Sequence, residues 1–301
     1  MNIETIENPV DRFVAFVKER EEIRSRRSRG YIWPWTDNTI LSTYSFTNIH
    51  REDDRVSKHY QKTIRDRYAE EDLVFPGTML YRWFNREETC DFLFNQPDFN
   101  YQSTFERYME LNELEILLQR IRMTPTPHVT GSFSIPSLPG HPKGEGVMRY
   151  FHTWCQKPWR EQWHKWIMVN PPPTLQEVYE WIKSNGLGTF MRGQIIADLK
   201  YLPFMCLAED WWTFAAPGPG SKRGLNLVMH RDMDASWKPE EWLAVLTNLN
   251  TVVTPKLEDV GIKKLHNQDL QNCLCEFSKF EKTRTGRGRP RRLYRVKEMS
   301  C

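Results

Sequence analysis

The 301-residue sequence predicts an all-α protein. Apolar residues recur at three- and four-residue spacing in several segments that carry recognisable caps. Short β signals occur only near 129–135, and no internal repeat is present. Hydrophobic residues make up 39% and charged residues 27%, the balance of a folded globular chain rather than a disordered one. Mean hydropathy is −0.66 despite twelve Trp, sixteen Phe and eleven Tyr, so the apolar content lies in flat rings more than in aliphatic side chains.

Taken along the chain, Thr36 or Asp37 is a plausible N-cap after Trp33-Pro34-Trp35. Ile40, Tyr44, Thr47 and Arg51 then form one stripe of a long helix ending near Arg55. Residues 105–123 form a second helix, with Phe105, Met109, Leu117 and Ile121 among its apolar positions. Five Pro and four Gly in residues 124–146 mark a long connecting loop between a helical lobe at 1–123 and another at 147–278. Thr174-Leu-Gln-Glu177 is a capping box whose helix carries Val178, Trp181 and Ile182 and stops at Asn185-Gly186. A helix over 192–202 is ended by Pro203. Another follows Lys238 with Pro239 at N1 and runs over 239–250. Asn267 can cap the last, which reaches about Phe280 with Leu270, Leu274 and Phe277 inward. Residues 279–301 form a basic C-terminal segment.

No stretch approaches the ~18 uncharged apolar residues of a membrane helix, and MNIETIENPVDRF lacks the basic and apolar regions of a secretory signal. Six cysteines without a C-x-x-C pair are expected to be reduced thiols in a cytoplasmic protein, with no metal and no cofactor. Net charge is +3, unevenly spread. Residues 279–297 hold nine Lys or Arg against one acid, Glu281, which leaves 33 basic and 38 acidic groups elsewhere. Arg24-Ser-Arg26-Arg27-Ser-Arg29 is a second concentration. Basic runs beside an acidic body fit a nucleic-acid partner; a solvated tail is the alternative.

Four constellations can carry chemistry. In Asn48-Ile-His50-Arg51-Glu52-Asp53-Asp54-Arg55, helical spacing puts Asn48, Glu52 and Arg55 on one face, either a solvated helix end or a buried cluster lining a cavity. In Gln194-Ile-Ile-Ala-Asp198-Leu-Lys200-Tyr201, Gln194, Asp198 and Tyr201 share a face, as a ligand-orienting set or part of an ordinary amphipathic helix. Pro217 through Asn226, with Gly218, Gly220, Ser221, Lys222 and Arg223, reads as a hairpin whose backbone N–H groups can meet a phosphate, or as a plain Gly/Pro turn. No G-x-x-x-x-G-K-[ST] match occurs. In the fourth, Asp269, Asn272 and Glu276 share a face ahead of Gly286-Arg287-Gly288-Arg289-Pro290-Arg291-Arg292, a flexible guanidinium run suited to phosphate contacts.

Together these blocks resemble the helical enzymes of phage thymine hypermodification: the α-glutamyl/putrescinyl-thymine pyrophosphorylases, the amino acid:DNA transferases and the helical domain of 5-hydroxymethyluracil DNA kinases. The matching pieces are Pro34-Trp-Thr-Asp37, Phe46 through Arg55, Gln194 through Lys200, Gly218 through Asn226, and Asp269 through Phe277 with Lys279, Gly286, Arg289 and Pro290. They run collinearly from about 20 to 295. The resemblance implies a helix-hairpin-helix, DNA-glycosylase-like helical fold with Gly218–Gly224 in the hairpin's place. It implies DNA containing pyrophosphorylated hydroxymethyluracil and an amino acid or amine as substrates, in the host cytoplasm and beside other hypermodification enzymes such as a DNA kinase. The kinases' P-loop is missing from these residues, so phosphorylation is not the expected reaction.

In that reading pyrophosphate leaves the 5-methylene carbon and an amine or hydroxyl attacks it. Arg51 and Arg55, or Lys200, would serve the leaving group, and Glu52 or Asp198 would bind and deprotonate the nucleophile. Asn48, Asp54, Gln194, Asp210 and Glu276 complete the expected substrate site. Gly218 to Arg223 and Arg287, Arg289, Arg291 and Arg292 would hold DNA. A glycosylase or lyase acting on a modified base and a non-catalytic DNA-binding adaptor are the competing readings.

Overall fold

The computed structural model describes residues 3–94, 114–131, 135, 137–184, 187–290 and 292–294. Its helices are α1 (Pro9–Ser28), α2 (Thr39–Thr43), α3 (Arg55–Tyr60), α4 (Val74–Phe84), α5 (Glu87–Phe94), α6 (Leu114–Met123), α7 (Lys143–Cys155), α8 (Arg160–Met168), α9 (Leu175–Ser184), α10 (Thr189–Leu199), α11 (Pro219–Val228), α12 (Pro239–Glu258) and α13 (Asn267–Arg284). Short 3₁₀ turns at Arg51–Asp53 and Met205–Leu207 interrupt the connections. Among the described residues there is no strand, only an isolated antiparallel bridge between Tyr44 and Leu293, so the all-α expectation holds. No described helix is long and apolar enough to cross a membrane.

Two compact units form, Met1–Asp54 with Trp212–Cys301, and Arg55–Trp211. They differ from the chain-order lobes at 1–123 and 147–278, because the chain ends come back together: α1 packs on α11, α12 and α13. α1 itself escaped the sequence reading. Asn8 caps it, its Oδ1 accepting from the N–H groups of Val10 (2.9 Å) and Asp11 (3.2 Å), with Pro9 at N1. Its buried face brings Phe13 and Phe16 against Phe277, at 5.3 and 5.5 Å between ring centroids, and Phe16 against Phe46 and Phe280.

In the first unit α11 and α13 approach unusually closely. A Cβ added at Gly224 would overlap the backbone carbonyl of Leu274, and one at Gly220 would overlap the Cys275 sulfur. Neither glycine has a positive φ, so each is needed for close approach rather than for a turn. The hairpin expected over 217–226 is therefore an extended lead, residues 214–218, entering a helix. The expected long helix after Trp35 also fails. Asn38, not Thr36 or Asp37, caps a five-residue α2, and Ser42-Thr-Tyr-Ser-Phe-Thr47, all modest helix formers, leaves the helical path. α13 is capped by His266 rather than Asn267 and extends to Arg284, with Leu270, Leu274 and Phe277 fully buried as expected. α12 continues past 250 to Glu258.

In the second unit α4 is buried at every residue, which its all-round apolar sequence VFPGTMLYRWF requires. Phe75 stacks on Trp163 at 4.7 Å and touches Trp154 and Trp181, so this core is made of rings. The capping box forms as expected: Thr174 N–H donates to Glu177 (2.7 Å) and Glu177 N–H to Thr174 Oγ1 (3.0 Å). The helix expected over 192–202 starts earlier, at Thr189, and ends at Leu199. α7 takes over residues 143–146 of the Pro/Gly-rich stretch. Leu117 and Ile121 are buried in α6, whereas Phe105, Met109, Asn185, Gly186 and the middle of the 129–135 segment lie outside the described residues. The five described cysteines are free thiols.

Gly224→Ala should destabilise the first unit by ~1–3 kcal/mol, since overpacking against backbone exceeds the gain in helix propensity. Gly218→Ala, whose nearest neighbour would be Gln271 Nε2 at 3.5 Å, should be close to neutral. Denaturant midpoints of the two variants check this, and equal midpoints would refute it.

Candidate functional site

Residues 46–54 have almost no secondary structure of their own, so side chains from α1 and α13 take up their polar backbone groups. Arg20 of α1 donates to the carbonyls of Phe46 and Thr47, both at 2.7 Å. From α13, Asn272 Nδ2 donates to Thr47 Oγ1 (3.0 Å) and Glu276 accepts from Thr47 N–H (3.4 Å). Asn48 closes the loop locally: its N–H donates to Asp54 Oδ1 (2.9 Å) and its amide to the Asp53 carbonyl (2.9 Å). The helical face expected to join Asn48, Glu52 and Arg55 is thus replaced by a 3₁₀ turn at Arg51–Asp53.

Asp269 holds that turn. Its Oδ1 accepts from the Arg51 backbone N–H at 3.0 Å, and its Oδ2 lies 3.3 Å from His50 Nδ1 and 3.2 Å from His266 Nε2. His266 Nδ1 accepts from Asp269 N–H (3.0 Å), so its proton sits on Nε2 and points at the carboxylate. Burial alone would raise Asp269, but the two imidazoles and the Arg51 N–H overcome it and hold the carboxyl below its ordinary value. Burial likewise opposes charge on His50, and Asp269 outweighs it, so that imidazole titrates above its ordinary range. Asp54 behaves oppositely: burial dominates and pushes its pKa up to about 6, with the Asn48 N–H and Arg51 only partly compensating.

The Gly-rich run contributes backbone rather than side chains. Gly218 N–H donates to Ser221 Oγ and Ser221 Oγ donates to the Gly218 carbonyl, both at 3.0 Å, which closes the first turn of α11. Arg223 pairs with Asp234 at 2.8 Å. Lys222 lies half-buried on the same turn. Asn226 is fully buried and donates to the carbonyls of Met233 (3.1 Å) and Ala235 (2.9 Å), shaping the loop after α11. Arg287, Arg289 and Arg292 are exposed; Arg291 lies outside the described residues.

Several expected substrate groups of the second unit are structural. Asp198 is fully buried and accepts a two-pronged ion pair from Arg82, with Arg82 Nη2 at 2.7 Å. Arg82 also reaches Ser57 Oγ (3.2 Å) and lies over the Tyr60 and Tyr81 rings. Lys200 is fully buried too, its Nζ donating to the Trp211 carbonyl (2.8 Å) and lying 3.9 Å from that ring's centroid. Asp210 caps α9, accepting from the N–H groups of Leu175 (2.8 Å) and Gln176 (3.0 Å). Gln194 stays half-buried on α10. Arg55 is exposed and 3.2 Å from Glu87. Asp198, expected in a ligand-orienting set with Gln194 and Tyr201, is found in the buried ion pair with Arg82. A lone Arg inside the apolar run of α4 was the overlooked signal, and the His266-x-x-Asp269 spacing was the corresponding signal for the clamp.

A family profile described as "5-hmdU DNA kinase, helical domain" matches residues 7–289. The chain belongs to this family. A "5-hmdU DNA kinase" of Bacillus phage SP10 is 26% identical over 296 residues, covering 90% of this chain and 44% of that protein. The chain thus spans less than half the length of this relative. No solved structure matches. The clamp residues, the Gly-rich turn and the Arg82–Asp198 pair all lie inside the span matched by the 5-hmdU DNA kinase helical domain.

Two measurements test these assignments. Asp54 titrates near 3.8 when unfolded and about 6 when folded, so the native state binds the extra proton between those values. Stability should therefore fall by ~2–3 kcal/mol as pH rises from about 4 to 7. Asp54→Asn should raise the urea midpoint at pH 8 and leave it unchanged at pH 4; a uniform shift would contradict this. Separately, Asp198→Asn should cost ~3–5 kcal/mol by stranding a buried guanidinium. A stable Asp198→Asn protein would return Asp198 to the list of substrate ligands.

Proposed function

We propose that this chain is a DNA base-modifying transferase that displaces pyrophosphate from 5-pyrophosphoryloxymethyl-deoxyuridine in DNA and attaches an amino acid or amine to the 5-methylene carbon. Membership of the 5-hmdU DNA kinase helical-domain family over residues 7–289 carries this reading, because it ties the chain to modification of hydroxymethyluracil. The bond from the methylene carbon to the pyrophosphate oxygen breaks, and its electron pair leaves with pyrophosphate. The amine nitrogen forms the new C–N bond and gives its proton to a carboxylate.

The Arg51–Glu52 turn fits these roles best. Asp269 accepts the Arg51 backbone N–H and fixes the turn; in this reading the Arg51 guanidinium serves the leaving pyrophosphate and Glu52 is the base. The α11 N-terminus, with the Gly220 and Ser221 N–H groups lacking intrahelical acceptors and the Lys222 cation beside them, is available to a DNA phosphate. Arg287, Arg289 and Arg292 add exposed charge for the same polyanion. A helix-hairpin-helix origin of this turn remains part of the proposal. An upstream DNA kinase would supply the activated base.

A second reading, a hydroxymethyluracil-recognition module of a larger enzyme, is favoured by the 44% coverage of the kinase relative. Nucleoside mass spectrometry of pyrophosphorylated hydroxymethyluracil DNA, incubated with glycine, serine, glutamate or a polyamine, separates the two. Transfer gives a nucleoside carrying the amine, abolished in Glu52→Gln and severely reduced in Arg51→Lys because a point charge does not reproduce a guanidinium fork. Tight DNA binding with no mass change identifies the recognition module. Release of free base would instead reveal a glycosylase.

A further inference from the structure

The two basic concentrations of the sequence, 24–29 and the C-terminal segment, meet in space within the first unit. The bridge between Tyr44 and Leu293 is flanked by Ser45 N–H donating to the Arg292 carbonyl (2.9 Å) and Tyr294 N–H donating to the Thr43 carbonyl (3.0 Å). Tyr294 packs edge-on against Trp35 at 5.4 Å, and the Arg27 guanidinium lies over both rings, at 5.0 Å from Trp35 and 5.5 Å from Tyr294. Arg24 and Arg26 are neutralised by Glu21 and Glu22. Arg29 and Arg292 are exposed and pair with no acid among the described residues.

The same face carries uncovered apolar side chains: Ile32 is 87% exposed, Tyr31 59%, Leu293 56% and Trp33 41%. They are not on a loose loop. The Trp33 indole N–H donates to the Ser42 carbonyl (3.2 Å), the Trp35 indole N–H to the Tyr31 carbonyl (2.7 Å), and Tyr31 N–H to the Arg26 carbonyl (3.0 Å). A solvent-facing ring held by its own polar atom, as Trp33 is, loses little freedom when another flat group stacks on it, and Tyr31 is tied beside it through its backbone. Macrodipole complementarity explains cations at the end of α1, but it explains neither the rings nor the arrival of the C-terminal segment.

We propose that this face binds an unpaired stretch of DNA, with bases stacked on Tyr31 and Trp33 and phosphates near Arg29 and Arg292. Flat apolar surface interleaved with unneutralised guanidinium is what a single strand recognises, since each nucleotide offers one ring and one anion. The inference rests on the proposed DNA substrate for its choice of polyanion. It adds a place for the strand opened when a base is extruded from the duplex.

Fluorescence anisotropy of the full chain with a labelled oligothymidylate and a matched duplex, titrated with salt, tests it. Tyr31→Ala/Trp33→Ala should weaken single-strand binding ~10-fold or more, leave the salt slope unchanged and affect the duplex less. Arg29→Gln/Arg292→Gln should instead reduce the slope, by about 0.7 per lost contact. Trp33→Phe should retain binding, which separates stacking from misfolding. Unchanged single-strand affinity in the double ring variant, or equal losses on strand and duplex, overturns the platform while leaving the transferase reading intact. A wild-type chain that binds neither DNA overturns both.

Discussion

The carboxylate of Asp269 is the contact on which the candidate site depends. It sits on a helix, α13, whose position is fixed twice: by Phe277 and Phe280 against the rings of α1, and by Gly220 and Gly224 letting α11 approach its backbone. From that fixed point it accepts the Arg51 N–H and the protons of two imidazoles. A segment with so little secondary structure as 46–54 cannot hold its own shape. Its backbone groups would otherwise face loss of water without replacement partners, at ~1–3 kcal/mol for each one stranded. Asp269, Asn272 and Glu276, one helical row, together with Arg20 from α1, remove that penalty and set the turn.

The helices legible in the sequence are those with strong local signals. The Thr174–Glu177 capping box, the Pro239 start and the inward row of α13 all appear where their residues placed them. α1 was missed because its buried face includes Arg12 and Arg20, which weaken an apolar stripe although both find partners inside the fold. The helix expected beyond Trp35 misled for the converse reason. Ile40, Tyr44, Phe46 and Ile49 do face the core or its edge, yet periodicity over so short a run cannot distinguish a helix from an extended strand pinned by distant side chains. The pins from α13 come from residues more than two hundred positions away, beyond any local pattern.

The site blocks were legible as blocks but not as roles. A run of chemically capable residues is equally a run of residues capable of satisfying buried backbone. Asp210 became a cap, Asp198 the partner of a buried arginine, Lys200 a cation under a tryptophan, and Asn48 and Glu276 fasteners of one loop. Only partners remote in sequence decide between these uses, and for Asp198 the partner is Arg82, far upstream in α4.

That sorting sharpens where chemistry can reside. What Asp269 takes from Arg51 is its backbone N–H, which sets the path of the main chain through the turn. A turn fastened through its main chain presents its side chains in a fixed direction, and fixed direction is what a group acting on a departing anion or an incoming amine requires. The second carboxylate oxygen of Asp269 serves the same end. His50 and His266 occupy that oxygen, so the carboxylate is held from both sides and keeps its place on the Arg51 N–H. The clamp therefore acts on the backbone it holds, and the direction of the turn follows from the position of α13.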